Sequence, residues 1–326
     1  MSKSHLIVIA LAALLGSAMP ATAQVAGFPS KAVRIVVPFP PGGTTDILAR
    51  LMSQKMSDAW GKQVVVENRP GAGGAIAAEF VARSAPDGHT IFLGTSGDMS
   101  INPSLVKKPS YDPEKDFEPV GLLALTPLLL VTHPSLPVRS VKELIDAAKA
   151  KPGSLSNLSV GEGSAAHLAG EMFRKSTGTN IVHVPYKGGG PQVAALLAGQ
   201  EPQFGFVVMG TAKPHLQSGK LRVLGISTAK RSSLFPDVPT MAEMGLPGFD
   251  IANWFAAVVP AGTPKEIVAF LNTENARILK LPDVAARLAD MGFETTLSSP
   301  EELARHLGSE IVKYRKVIAE AGIALQ

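Results

Sequence analysis

Short β-branched runs alternate with helical patterns along most of the chain. Val33–Pro38 (VRIVVP), Gln63–Glu67 (QVVVE) and Thr90–Gly94 (TIFLG) read as strands. Between the first two, Thr45–Trp60 sets Leu48, Leu51, Met52 and Met56 on one helical face. A second helix runs from about Gly74 to Arg83. The pattern then repeats: a strand at Leu128–Val131, a helix at Val141–Lys151, a strand near Leu158 and a helix at Ser164–Thr177. Ile181–Val184, a helix at Gln192–Ala198, Phe204–Val208 and Leu221–Ser227 follow. Phe255–Val259 opens a closing segment with helices at Pro264–Leu279, Asp283–Met291 and Pro300–Ala321. Leu303, Leu307, Ile311, Tyr314 and Ile318 make the apolar face of the last one. This alternation is that of an α/β protein.

The first residues stand outside the pattern. Lys3 and His5 precede an unbroken apolar run, Leu6–Leu15, and Ala21-Thr22-Ala23 then matches a small-x-small cleavage site. Residues 1–23 therefore read as a cleavable export signal, with a mature chain starting at Gln24. The run is too short for a membrane anchor, which needs roughly 20 apolar residues. With 326 residues, two domains are expected. There is no cysteine, which excludes a disulfide scaffold, thiol catalysis and a lipid anchor on the mature end. The expected location is the periplasm, without attachment to lipid. A net charge of +4, with basic residues scattered singly or in pairs, gives no basic stripe for nucleic acid.

The helix starts separate into two kinds. Ser140/Glu143, Thr240/Glu243, Thr263/Glu266 and Ser299/Glu302 have capping-box spacing, with an acid at the positive end of the helix. Gly71–Ala75, Gly161–His167 and Lys187–Pro191 are glycine-rich, follow strands and lack an acid at that capping position. Free backbone N–H groups at such starts suit an anion, although glycine also simply permits a tight turn. In α/β sheets, ligands sit outside the strand ends where such loops gather.

Catalytic motifs fail one by one. Gly94-Thr95-Ser96-Gly97-Asp98 departs from G-x-S-x-G at Asp98, and Gly71–Ile76 departs from G-x-G-x-x-G at Ile76. The histidines lack metal-binding spacing, so no metal and no cofactor are expected. His167 stands three residues after Ser164 without an obvious orienting acid. The chain reads as a binding protein and not an enzyme.

A set of ordered motifs carries a resemblance. Phe28-Pro29-Ser30-Lys31 leads into Arg34–Gly43 and Asp46, then Val65–Gly74, Ala85-Pro86-Asp87-Gly88 and Ile101-Asn102-Pro103. His167–Glu171, Val184–Gly188, Asp237–Thr240 and Pro260–Pro264 complete it. In these motifs the chain resembles the Bug-type receptors, the extracytoplasmic solute-binding proteins of the tripartite tricarboxylate transporter family. The resemblance implies a two-lobed periplasmic-binding-protein fold of type II, a Venus flytrap whose lobes are each a mixed β-sheet flanked by helices. Residues 24–125 with 250–326 form domain 1 and 126–249 form domain 2, with crossings near Leu125 and Asp250. The implied function is capture of a small carboxylate between the lobes and its delivery to a tripartite tricarboxylate-type permease in the inner membrane, by a monomeric receptor. A sensor handing the same signal to a signalling partner, or a periplasmic hydrolase, are the alternatives.

The expected ligand contacts come from both lobes. Domain 1 offers Phe39 as a wall, Gly42, Gly43 and Thr44 as donors, Asp46 to fix the turn or cap the helix, and Thr95 with Ser96. Domain 2 offers Gly163, Ser164, His167, Tyr186, Lys187, Gly188 and Gly189. His167 and Tyr186 also have structural readings, and Lys187 reads as long-range attraction for an anion. The segment Gln203–Gly210 is apolar where relatives often carry acidic or amide groups, which argues against a ligand amine paired there. Trp254 reads as packing or hinge.

Overall fold

A computed structural model of the chain describes residues 27–323; the export signal read at 1–23 lies outside them. Strand β1 (Val33–Val37) is buried on both faces apart from half-buried Arg34, which explains its nearly unbroken apolar run. It lies parallel to β2 (Val64–Asn68) on one side and β3 (Thr90–Thr95) on the other. Helix α1 (Thr44–Trp60) joins β1 to β2, and α2 (Ala75–Ala82) joins β2 to β3. Beyond β3, a π-helical turn (Gly97–Ile101) runs directly into the short helix α3 (Asn102–Leu105).

Strand β4 (Phe117–Thr132) then spans 16 residues and belongs to two sheets. From Phe117 to Pro127 it pairs antiparallel with β9 (Ala252–Pro260), which also pairs with β3. From Leu128 to Thr132 its partners are β7 (Gln203–Val208) and β8 (Arg222–Ile226). The first sheet therefore runs β2-β1-β3-β9-β4, closed by β10 (Glu294–Thr295) on β4. The second contains β5 (Ser156–Ser159), parallel to both β6 (Val182–Pro185) and β7. Both sheets are mixed, as the resemblance implies.

Sequence periodicity finds only the last part of β4. Pro119 and Pro127 break the apolar run and lower its strand reading. In the fold the register shifts between Pro119 and Gly121, and Pro127 sits where the strand changes partners. The return crossing is held to the first one through Ser227. Its N–H donates to the Leu128 carbonyl at 2.9 Å and its carbonyl accepts the Ile251 N–H at 2.9 Å. The Ser227 hydroxyl accepts the Leu128 N–H at 3.0 Å and donates to the Ile251 carbonyl at 2.5 Å.

Helices cover both sheets. In the second half these are α4 (Val141–Ala150), α5 (Ala165–Thr177), α6 (Gly189–Ala198) and α7 (Met209–Gln217). Helix α7 was not read from sequence; it contains Pro214 and a short, weakly periodic face. Helices α8 (Lys265–Leu279) and α9 (Pro282–Asp290) pack on the first sheet. The last helix, α10 (Pro300–Ala321), is about 33 Å long at the usual rise per residue. Its Leu303, Leu307 and Ile311 pack with Phe117 and Trp254 of the first sheet. Its Tyr314 and Ile318 pack with Phe173, Phe206 and Phe249 of the second. Ile101 and Leu105 join that second core as well, although the sequence reading assigns all four side chains to domain 1.

Two of the four capping-box pairs serve helices. Ser299 and Glu302 form a reciprocal box on α10, and Ser140 caps α4 by accepting the Glu143 N–H at 3.1 Å. Thr240 and Glu243 bond reciprocally, but around a turn and not a helix. The Thr263 hydroxyl donates to the Pro260 carbonyl and caps nothing.

Candidate functional site

A cavity of about 230 Å³ lies between the two sheets, lined from both. A larger groove of about 540 Å³ beside Phe28 and Trp60 is lined only by residues 27–30, by the end of α1 with Lys62, and by α8, all on the side of the first sheet. Of these two, the smaller cavity is the one where a ligand touches both halves.

Its second-half wall is the start of α5. Gly161 and Gly163 have φ of 133° and 71°, angles that side chains with a Cβ rarely adopt. They turn the chain from β5 so that Ser164 becomes the N-cap. The Ser164 hydroxyl accepts the His167 N–H at 3.1 Å and donates to the Gly161 carbonyl at 2.7 Å. This start is therefore capped by its own serine, so that one of the N–H groups the sequence reading left free for an anion is already engaged. Ala165 and Ala166, the first two helical residues, line the cavity, and their N–H groups have no acceptor within the helix.

His167 supports this loop from behind. Its Nδ1 accepts the Gly163 N–H at 3.2 Å, and its ring stacks on His183 at 4.1 Å. Burial, with a smaller contribution from His183, lowers its pKa to about 4. The ring is neutral at pH 7 and cannot act as a cation toward a ligand. His183 is lowered too, by burial, and its Nε2 contacts the Ser159 hydroxyl at 2.7 Å.

The first-half wall is the end of β3 and the π-helical turn. Thr95 donates its N–H (2.9 Å) and hydroxyl (2.6 Å) to the Asp98 carboxyl. The Gly97 N–H donates in turn to Thr95 Oγ1 at 3.2 Å. Asp98 is fully buried, and burial raises its pKa to about 7 against the opposing Thr95 bonds. Ser96 is buried and donates to Asn253 Oδ1 at 3.0 Å, so it orients Asn253, which lines the cavity. Asn102 Nδ2 donates to the Ala72 carbonyl at 2.9 Å and holds the Gly71–Gly74 loop, whose Gly73 also lines the cavity.

The turn after β1 is locked by Asp46. The Gly42 N–H donates to Asp46 Oδ2 at 2.9 Å, so that donor is occupied inside the turn and not offered to a ligand. Arg50 (2.9 Å) and Asn68 (2.9 Å) complete the carboxylate's shell. Burial pushes the Asp46 pKa up, but the bonds from Arg50, Gly42 and Asn68 together hold it below the ordinary value. Of this turn only Phe39 lines the cavity; Gly43 and Thr44 do not.

Phe39, Thr95, Gly163 and Ser164 are thus brought together around one space. Ser96, His167 and Asp46 stand behind it. Tyr186, Lys187, Gly188 and Gly189 fall outside its lining: the Tyr186 ring packs against the core near Val193, and Lys187 is exposed. Asn102, Asn253 and Glu162 were missed. Asn102 lies in Ile101-Asn102-Pro103 and Glu162 in the glycine-rich start Gly161–His167, so both had a signal; Asn253 had only its place near the crossing. Among the described residues Glu162 is the one ionisable side chain in the lining, and Leu128, Val160, Phe206 and Val208 supply an apolar wall. Among the described residues no group of three or more acidic, histidine or cysteine side chains could hold a metal.

Comparison with known proteins agrees with this geometry. A family model described as the tripartite tricarboxylate transporter family receptor matches residues 48–323. Protein BugT of Bordetella pertussis is 38% identical over 315 residues, 96% of each chain. The solved structure of R. palustris Rpa4515 with adipate superposes with a TM-score of 0.83 at 40% identity, covering 91% of this chain and 99% of that one. The periplasmic binding protein BugD gives a TM-score of 0.80 at 34% identity over 92% of this chain and 100% of its own.

Proposed function

Because this chain belongs to the tripartite tricarboxylate transporter receptor family, we propose that it captures a small carboxylate in the cavity between its two sheets and delivers it to a membrane permease. The observation that carries this is the meeting of the α5 start and the β3 end across one cavity whose lining, among the described residues, holds no Lys, Arg or His. An anion there is held by backbone N–H groups and helix polarity, not by a cationic clamp. The relative crystallised with adipate supports a carboxylate as the class of ligand.

The two sheets with their helices act as the two lobes, and residues near Pro127 and Ile251 act as the hinge. A ligand that touches both lobes favours the closed form by its greater affinity for that form. The protein works in the periplasm after export and cleavage at Ala23, as a monomer. Binding takes place without turnover: the Ser164 hydroxyl is engaged as a helix cap, and His167 Nδ1 faces the Gly163 N–H and not that hydroxyl.

A thermal-shift panel of mono-, di- and tricarboxylates tests the reading. A true ligand at 100 times its Kd stabilises the fold by about 2.7 kcal/mol. Stabilisation by sugars or amines alone, with every carboxylate silent, would refute it.

A further inference from the structure

A buried acid stands directly behind the first-half wall of the cavity. Resting on the carboxylate reading above, we propose that this receptor takes up a proton together with its ligand, and that Asp98, joined to the cavity through Thr95, is the group that holds it. Asp98 is a positioning residue, since it reaches a ligand only through the Thr95 hydroxyl.

The carboxyl is enclosed without a counter-charge. Asp98 is fully buried and, among the described residues, has no Lys, Arg or His as an ion-pair partner. A Cβ at Gly74 would lie 2.5 Å from Asp98 Cβ, and one at Gly94 would lie 3.1 Å from Asp98 Oδ1. Glycine at both positions therefore lets the α2 start and β3 close on the acid. Tyr111 donates its hydroxyl to the Asp98 carbonyl, and Glu79 of α2 with Lys108 lines the adjoining cavity beside Tyr111. Glu162 lines the opposite wall. Helix α10 brings Leu307 and Ile311 to the core that holds Met99, while its His306 and Glu310 are engaged with Trp254. Burial favours the neutral acid and the Thr95 bonds favour the anion, so a pKa of about 7 leaves the group open to a nearby charge.

The Thr95 hydroxyl transmits that charge. It donates to Asp98 Oδ2 at 2.6 Å, and its oxygen accepts the Gly97 N–H at 3.2 Å. Thr95 and Gly97 both line the cavity. A hydroxyl has one proton to give and two lone pairs. While it serves an ionised Asp98, it has no donor left for a ligand carboxylate. When Asp98 Oδ2 takes a proton from solvent, that O–H donates to Thr95 Oγ1 and the Gly97 N–H fills the second lone pair. The Thr95 proton is then free for a ligand oxygen, beside the amide donors of Asn253 and Gly73 on the same wall. A ligand oxygen on Thr95 Oγ1 stands about 5 Å from Asp98 Oδ2, two hydrogen bonds in series. Two carboxylate charges that close in a buried site repel, and the lower-energy pair is one anion with one acid.

Isothermal titration calorimetry of the mature protein with succinate, adipate and benzoate, in two buffers of different ionisation enthalpy, counts the protons. At about pH 7.5 the uptake should be about half a proton per ligand, as follows when binding raises the Asp98 pKa from about 7 by about one unit. Affinity should weaken about fivefold between about pH 7 and pH 9, where these acids stay ionised. Asp98→Asn keeps the shape and a donor toward Thr95 but cannot gain a proton, so the uptake and the pH dependence of Kd should both vanish. A purely structural role would shift Kd equally at every pH. Infrared difference spectra of the wild type, liganded minus free, should show a new protonated-carboxyl band at about pH 8, a readout that does not depend on the variant folding. Binding without proton uptake overturns the proposal, and so does uptake that persists in Asp98→Asn. Uptake without the new carboxyl band places the proton on another kind of group and overturns it too. Silence of every acid in the carboxylate panel overturns the carboxylate reading itself.

Discussion

The indole N–H of Trp254 donates to Glu310 Oε2 at 2.9 Å, with both side chains buried. Trp254 lies on the returning strand β9, two residues from Ala252 where that strand begins, and Glu310 lies midway along α10. The bond holds the helix at the level where the chain passes between sheets, and Lys313 pairs with the other Glu310 oxygen.

Trp254→Phe keeps most of the packing and removes this donor. A buried carboxylate that loses a partner costs about 1–3 kcal/mol. Urea unfolding should show that loss with an unchanged slope. Wild-type stability in this variant would mean that the bond is replaced by water and that α10 is held by packing alone.

The α5 start separates capping from ligand binding. Ser164→Ala removes the cap and should cost about 1 kcal/mol of stability, with the fold intact. Ala166→Glu places a carboxylate beside the N–H groups a ligand needs and should abolish binding; Ala166 is buried in the second core, so the variant should also lose stability, read beside Ser164→Ala by urea unfolding. Lys187→Gln, outside the lining, should change affinity by less than about threefold, by loss of screened long-range attraction only. Urea unfolding reads the first, and calorimetry with any carboxylate that binds reads the other two. Loss of binding in Lys187→Gln together with normal binding in Ala166→Glu would move the anion site to the α6 start.

His167 and Asp98 give opposite pH dependences. The folded pKa of His167 is about 4, below the ordinary 6.5, so the unfolded chain binds more protons between those values. Its contribution to stability is full above pH 6.5 and falls as the pH drops toward 4, by at most about 1.4 kcal/mol per pH unit. For Asp98, at about 7 against an ordinary 3.8, the folded state binds more protons, so its stabilising effect is present at low pH and lost as the pH rises toward 7. Denaturant titrations at pH 4–8 should therefore show His167→Gln gaining stability relative to wild type as the pH falls. Asp98→Asn should gain relative to wild type as the pH rises. Parallel profiles for wild type and both variants would show that neither group titrates differently in the folded state.

Export should leave a defined end. The Leu6–Leu15 run and Ala21-Thr22-Ala23 predict a periplasmic chain beginning at Gln24. N-terminal sequencing of the periplasmic fraction reads this directly; an intact Met1 in the membrane fraction would disprove it.

Elements with a local cause were legible. The β1 run needs no tertiary knowledge, and Ser140 and Ser299 cap their helices within three residues of chain. Thr240 shows the limit, since its box closes around a turn once the chain has no room to continue as a helix. The π-helical turn at Gly97 and the first part of β4 were not legible, because each depends on a distant partner: Asp98 on Tyr111, and Phe117–Pro127 on β9. The site divides in the same way. Glycine at 161 and 163 announced the α5 loop, whereas Asn253 enters the lining only because Ser96 and the crossing strand bring it there.

The shared strand also bears on the order in which the molecule is built. The edge of β3 has no partner until Ala252–Pro260 exists, and the apolar faces of the two sheets wait for α10 at the far end of the chain. Contacts so distant in sequence form late and slowly. Until then β3 is an exposed, apolar strand edge of the kind that recruits other chains. A nascent fragment ending before Asp250 should therefore aggregate or occupy a holdase, and solubility should return only when the remaining residues are supplied.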